Sequence, residues 1–198
     1  MRINSIIMKK ILIPFISLFV CLIGSCGSKP NQDNAATISE NKTLVAFFSA
    51  QGHTKKVADS IAYLTGGTLF EIIPEIPYSE EDLDGWNDSS RGTLESKDRT
   101  TRPKVKSHVE NMERYDTIYL GFPIWWYTAP TIINTFLEQY DTSGKVIIPF
   151  ATSGGSEYDE TEKDLVVSAP QAVFKPGKVL NEMNNQQILE WINTFKEK

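Results

Sequence analysis

The sequence predicts an α/β fold, a doubly wound five-stranded parallel sheet with helices on both faces. Two observations support this fold class. Short apolar segments without polar alternation recur five times after residue 42, as expected of strands that are buried on both faces. Between these segments, apolar residues return at the three- and four-residue spacing of helices. Strands and helices that alternate in this way imply a parallel sheet that is covered by helices.

The N-terminal segment lies outside this pattern. Lys9 and Lys10 precede an apolar stretch, residues 11–24, which is too short to span a bilayer and has the charged-then-apolar order of an export signal. The stretch ends in Leu-Ile-Gly-Ser-Cys, which resembles a bacterial lipobox. We therefore predict a lipoprotein signal peptide over residues 1–25 and lipidation of Cys26. An ordinary cleaved signal peptide is the alternative.

Residues 26–42 are polar and rich in small side chains, so we predict a flexible tether there. Residues 43–198 have the size of one ordinary domain. The chain has 20 basic and 25 acidic side chains; loss of residues 1–25 removes three basic ones, so 17 stand against 25 and the net charge is −8. Such a surface disfavours nucleic acid as a partner. We expect an exported lipoprotein that is anchored to a membrane by its lipid and faces the periplasm or the cell surface.

The two cysteines exclude several chemistries from the domain. Cys21 lies in the predicted signal peptide, and Cys26 would carry the lipid. The domain then has no disulfide, no thiol nucleophile and no cysteine metal site. The sequence also shows no catalytic triad, carboxylate pair or metal-ligand cluster, so we predict no catalytic residue and no metal site. His108 is interpreted as a surface residue.

The first elements follow from local composition. The first strand, Thr43–Ser49, is short, apolar and rich in aromatic residues. A helix follows between Gly52 and Gly66, because apolar residues recur there at helical spacing and glycine favours a helix end. The second strand, Thr68–Ile73, ends at Pro74.

Residues 74–102 are polar, contain an isolated Trp86 and predict at most a short helix. The acidic residues at positions 80–84 are interpreted as a solvated face. Pro103 is predicted to open a helix that carries apolar residues through Met112, at positions i, i+4 and i+7.

The third strand, Asp116–Pro123, is the clearest central strand, and Pro130 is well placed for the first turn of the next helix. The fourth strand, Lys145–Ser153, contains Pro149, which cannot donate a hydrogen bond within a central ladder. A helix over 160–167, a short fifth strand over 171–175 and a closing helix around 188–195 complete the prediction.

In a sheet of this type, ligands bind at the carboxyl ends of the strands. The segment after the first strand, residues 49–54, combines small neutral donors with the start of a helix. Unpaired N–H groups and the positive end of the helix dipole can hold a phosphate there without an arginine. Neither a dinucleotide-binding glycine fingerprint nor a P-loop is present. A capped strand-to-helix turn is the alternative.

Two further segments follow the third and fourth strands. Residues 121–130, Gly-Phe-Pro-Ile-Trp-Trp-Tyr-Thr-Ala-Pro, contain three consecutive aromatic residues, which offer stacking surface to a planar ligand. Packing of Trp125 and Trp126 in the core, or under the segment of residues 74–102, is the alternative. Residues 151–160 contain Gly154 and Gly155, which let the backbone approach a ligand closely. A flexible turn is the alternative.

These three motifs together, Ser-x-x-Gly-His-Thr, "YDTIYLGFPIWWYTAP" and "PFATSGGS", resemble those of the flavodoxin-like FMN-binding proteins, over residues 44–198. The resemblance implies the strand order 2-1-3-4-5 and a bound FMN. It implies that the 5′-phosphate is held by Ser49, Gln51, Gly52, His53 and Thr54. It implies that the isoalloxazine ring is bordered by Pro123, Ile124, Trp125, Trp126 and Tyr127. It implies that the polar edge of the ring faces Thr152, Ser153, Gly154 and Gly155. Gln51 departs from the family, which commonly has threonine there.

The resemblance implies that the flavin carries the chemistry. Two functions fit: an electron-transfer protein that docks on a redox partner through an acidic rim, or an FMN-dependent oxidoreductase that passes hydride from NAD(P)H to a quinone-like acceptor. A flavodoxin fold that has lost FMN is a third class. Export of an unfolded chain would require FMN to be acquired outside the cytoplasm.

Overall fold

The structure is a computed structural model that describes residues 41–158 and 161–196 of the chain. The predicted signal peptide, the lipidation site at Cys26 and nearly all of the predicted tether lie outside the described residues.

The strands are β1 Thr43–Phe47, β2 Thr68–Glu71, β3 Thr117–Pro123, β4 Val146–Thr152, β5 Val173–Phe174 and β6 Lys178–Val179. The helices are α1 His53–Thr65, α2 Arg91–Lys97, α3 Thr131–Glu138, α4 Thr161–Val166 and α5 Asn185–Asn193. A short 3₁₀-helix at Met112–Arg114 precedes β3.

The sheet has the order β2-β1-β3-β4-β5, and every pairing in it is parallel. The short strand β6 also pairs with β4, further along the same edge. The predicted α/β class and the order 2-1-3-4-5 are therefore confirmed. The fifth strand that the sequence predicts as one piece is divided into β5 and β6.

The central strands are buried on both faces, which explains their lack of polar alternation. Leu44 and Ala46 of β1 pack into the core layer that contains α3 and α4. Val45 and Phe47 point to the opposite face and pack against α1 and α5. Successive side chains of one strand thus enter apolar layers on opposite faces of the sheet, so the residues at odd and at even positions must all be apolar.

Pro149 is tolerated in β4 because the two short strands that pair with that side of β4, β5 and β6, leave a gap opposite it. The N–H of Lys175 donates to the Ile147 oxygen, and the N–H of Leu180 donates to the Ala151 oxygen, both at 2.9 Å. Since backbone groups of alternate residues point to the same side of a strand, Pro149 faces the gap between β5 and β6. Its missing N–H therefore removes no ladder hydrogen bond.

The predicted helix from Pro103 to Met112 is wrong. The chain instead forms an isolated antiparallel bridge between Pro74 and Val105, and the Lys106 N–H donates to the Ile73 oxygen at 2.7 Å. Apolar spacing in this segment reflects burial of an irregular chain, because Val109 and Met112 still enter the core. No helix in the described part of the chain is long and apolar enough to cross a membrane.

Candidate functional site

A cleft of about 840 Å³ opens at the carboxyl ends of β1, β3 and β4. It lies where ligands bind in open parallel sheets. The three predicted loops meet in it, although they are separated by up to a hundred residues of sequence. The predicted site residues that line it are Ser49, Gln51, His53, Thr54, Pro123, Ile124, Trp125, Thr152, Ser153 and Gly154.

The loop after β1 leaves helix N-terminal amides unpaired. Gly52 precedes α1 with φ of 83°, a left-handed conformation that glycine adopts without strain. The Ser49 hydroxyl accepts a hydrogen bond from the Lys55 N–H at 3.2 Å and so caps one helix donor. Within residues 41–158 and 161–196, no acceptor pairs with the N–H groups of Gly52, His53 and Thr54. His53 and Thr54 line the cleft and Gly52 does not, so these donors form a seat for an anion at the edge of the cleft.

The loop after β3 separates the three predicted aromatic residues. Trp125 lines the cleft and packs edge-on against Phe48 and Tyr78, with ring centroids 5.6 and 5.1 Å away. Trp126 and Tyr127 do not line it; they are 46% and 74% exposed. Only the first of the three aromatics is therefore placed to contact a ligand in the cleft.

Trp126 and Tyr127 form the centre of a tight turn. Their φ angles are 48° and 66°, and Trp125 and Thr128 exchange backbone hydrogen bonds of 2.9 and 3.1 Å on either side. Positive φ at both central positions defines a type I′ turn, which normally takes asparagine and glycine. The Trp126 indole N–H donates to the Thr93 hydroxyl at 3.1 Å, which ties the turn to α2.

A cluster of polar side chains from residues 74–102 contacts Trp125 through Tyr78. The Tyr78 hydroxyl donates to a Glu95 oxygen at 2.6 Å, and the Arg91 guanidinium lies 4.0 Å from the centre of the Tyr78 ring. Arg91 also pairs with Glu95 at 2.7 Å. Burial, and then the hydrogen bond to Glu95, raises the pKa of Tyr78 above its ordinary value, so the phenol stays neutral.

The loop after β4 offers one free backbone donor. The Ser153 N–H donates to the Asn181 side-chain oxygen at 2.9 Å, and the Asn181 amide donates back to the Ser153 oxygen. The Gly155 N–H is used by the Ser153 hydroxyl at 3.1 Å. In the described part of the chain, only the Gly154 N–H of these three has no acceptor. Gly155 lines an adjoining cavity of about 450 Å³, which shares Ser153 and Asn181 with the cleft, and does not line the cleft itself.

Several cleft residues were missed by the sequence analysis. They are Ala50, Lys56, Val57, Ser60, Leu83, Leu180, Asn181, Glu182, Met183 and Ile188. The helical period of α1 carries a signal for Lys56 and Ser60, because they lie one and two turns beyond Gly52. The sequence of residues 180–183 gives no signal of a binding site, because the strand before it, β6, has only two residues and the sequence did not predict it. Among the described residues, no three histidine, cysteine or acidic side chains lie close enough to hold a metal ion.

Comparison with known proteins agrees with this architecture. A family model described as flavodoxin matches residues 42–195. A candidate flavoprotein from Bacteroides eggerthii is 41% identical; the match covers 79% of this chain and 99% of that one, with a TM-score of 0.75. A candidate flavoprotein from Bacteroides uniformis is 44% identical, with 77% and 98% covered and a TM-score of 0.74.

A more distant structure, a flavoprotein from Lactobacillus acidophilus in complex with FMN, is 22% identical. The match covers 77% of this chain and 99% of that one, with a TM-score of 0.60, and at this identity it shows the fold alone. A search of curated proteins finds no match.

Proposed function

The chain belongs to the flavodoxin family, and we propose that it binds FMN in the cleft and serves as an electron-transfer flavoprotein anchored to a membrane by an N-terminal lipid. One observation carries the proposal: three donor-bearing loops from distant parts of the sequence converge on a single cleft. An anion seat lies in the loop after β1, and an aromatic wall and a free amide lie in the loops after β3 and β4. This donor set matches a ligand with a phosphate and a planar ring.

The residues present fit FMN chemically. The unpaired N–H groups of Gly52, His53 and Thr54 suit the phosphate. Trp125 presents an aromatic wall that is fixed by its contacts with Phe48 and Tyr78. When bound, FMN supplies the reversible uptake and release of electrons. The protein binds and orients it, and the apolar wall limits the access of water.

The charge of the chain supports a carrier role. The predicted mature chain has a net charge of −8, which favours association with a partner protein whose surface is basic. The Leu-Ile-Gly-Ser-Cys sequence supports lipidation at Cys26. Mass spectrometry of the membrane-extracted protein would detect a diacylglyceryl adduct on Cys26, and Cys26→Ser would release the protein from the membrane fraction. An unmodified Cys26 in the mature protein would contradict the anchor.

An FMN-dependent NAD(P)H:quinone oxidoreductase is the second candidate. Tyr127 favours this candidate: the residue is 74% exposed outside the cleft, two positions after the cleft-lining Trp125, and a flat acceptor can stack on a free aromatic face.

A two-stage experiment tests both candidates. The full chain is purified in detergent, stripped of flavin and titrated with FMN while flavin fluorescence is recorded. We expect quenching with saturation; no binding would exclude the carrier and the reductase together. NADPH is then added to the FMN-loaded protein without oxygen. Bleaching of the flavin would identify a reductase, and an unchanged spectrum supports the carrier.

A further inference from the structure

The cleft has a wall that does not belong to the three loops. It is made by the first turns of α1 and by the segment between β6 and α5. Two side chains of opposite charge line it, Lys56 and Glu182. They form no ion pair with each other, and neither has an ion-pair partner in the described part of the chain. Both charges are thus available to a ligand.

Lys56 differs from its neighbour in sequence. The Lys55 ammonium is bound by both carboxylate oxygens of Asp59, at 2.9 and 2.8 Å, and Lys55 does not line the cleft. Lys56 lies one helical turn after Gly52 and lines the cleft, on the same face of α1 as the unpaired amides at its start. Lys56 therefore adds a full positive charge near the anion seat.

Glu182 is held in a strained conformation. Its φ is 54°, in the left-handed region that residues with a Cβ atom disfavour. Glycine would adopt this backbone at no cost. Strain of this kind is tolerated at functional sites. An ionised carboxylate only accepts hydrogen bonds, so it suits hydroxyl groups and repels a phosphate.

We propose that Lys56 and Glu182 divide between them the recognition of the polar tail of the cofactor. Lys56 binds the phosphate, and Glu182 accepts hydrogen bonds from the hydroxyl groups of the ribityl chain. The cleft thereby selects a flavin with a phosphorylated polyol tail. This inference rests on the proposed function, because it assigns two residues to the ligand of the same cleft.

Three flavins separate the two roles. FMN has both the phosphate and the ribityl chain, riboflavin lacks the phosphate, and lumiflavin lacks both. Each is titrated by fluorescence into the flavin-free full chain in detergent at low ionic strength. The variants are Lys56→Met, Glu182→Gly and the control Lys55→Met, which removes a charge from the same helix turn outside the cleft.

We expect Lys56→Met to weaken FMN binding about fivefold, the size of one solvent-accessible charged contact, and to leave riboflavin binding unchanged. Added salt should reduce that difference. Glu182→Gly should weaken FMN and riboflavin binding by the same factor and leave lumiflavin binding unchanged. It should also raise the melting temperature of the flavin-free protein, because the strain is removed.

The outcomes distinguish the inference from the proposed function. If the unmodified protein binds none of the three flavins, the proposed function fails and the inference falls with it. If it binds FMN but Lys55→Met weakens binding as much as Lys56→Met, the assignment of Lys56 is overturned. Equal losses for lumiflavin and riboflavin in Glu182→Gly would overturn the assignment of Glu182.

Discussion

The hydroxyl groups of Thr54 and Thr152 share a hydrogen bond of 2.8 Å between the first turn of α1 and the end of β4. Both residues are buried, with 1% and 7% of their surface exposed. The bond spans 98 residues of sequence and joins the loop that holds the anion seat to the loop that carries Gly154. It fixes the relative position of two walls of the cleft.

Removing one member of this pair should be costly. Thr54→Val keeps the shape of the side chain but leaves the Thr152 hydroxyl buried without its partner, which costs about 1–3 kcal/mol. Thr152→Val should cost a similar amount. The double variant should lose less than the sum, because no orphaned hydroxyl remains. Urea unfolding of the four proteins measures the coupling, and strictly additive losses would contradict it.

The Gly177 backbone passes directly over the Tyr158 ring, where a Cβ atom would overlap the ring carbons. Tyr158 is largely buried and stacks near Phe122, so it has little freedom to move away. We expect Gly177→Ala to lower the unfolding free energy by about 1–3 kcal/mol. Gly85→Ala is the matched control, because a Cβ at Gly85 meets no atom within 4 Å. Equal stabilities of the two variants would disprove the contact.

The type I′ turn predicts a substitution that stabilises the protein. Tyr127 has φ of 66°, which costs a residue with a side chain about 1–2 kcal/mol, and the residue is 74% exposed. Tyr127→Gly should therefore raise the melting temperature. Tyr63 is 81% exposed but lies in α1, so Tyr63→Gly should lower the melting temperature, because glycine in a helix costs about 1 kcal/mol of stability. Thermal unfolding followed by circular dichroism measures the change in melting temperature of each variant. Changes in the same direction for both variants would refute the turn assignment.

The ion pair between Arg102 and Glu138 predicts a dependence on pH. Hydrogen bonds of 2.8 and 2.9 Å from Arg102 hold the pKa of Glu138 below its ordinary value of 4.5. Because the pKa of Glu138 is lower in the folded than in the unfolded protein, the ion pair stabilises the folded protein at pH values above the unfolded pKa. This stabilisation is lost as the pH falls through the folded pKa. Because the Glu138 side chain is 41% exposed and solvent screens the pair, the gain is at most about 1 kcal/mol.

Arg102→Met should therefore destabilise the protein more at neutral pH than near pH 3, where only the hydrogen bonds of Arg102 to the Arg99 and Thr101 oxygens are lost. Lys104→Met is the control, because Lys104 is 82% exposed and its nearest carboxylate oxygen is 3.6 Å away. Urea midpoints at both pH values supply the comparison. A loss of stability in Arg102→Met that is equally large at both pH values would show that Arg102 acts through its backbone hydrogen bonds and packing and not through the ion pair with Glu138.

The sequence predicted most strands and helices of this fold correctly, because residues close in sequence decide whether a segment is a strand or a helix. Apolar runs such as Thr43–Phe47 predict strands, and the alternation with helices predicts a parallel sheet. The prediction of a helix over residues 103–112 was wrong, because apolar residues occur there at i, i+4 and i+7 without a helix. There the backbone pairs with a segment thirty residues earlier, and no local pattern encodes a long-range pairing.

For the site, the sequence by itself determined the three loops, because glycines, small donors and aromatic residues at strand ends are local signals. Only the tertiary structure decided which of their groups are free. It turned Trp126 and Tyr127 out of the cleft, used two of the three amides of the last loop, and brought Lys56 and Glu182 into the wall. A hydrogen-bond donor is available only when no other part of the folded chain has taken it, and that depends on contacts between distant residues.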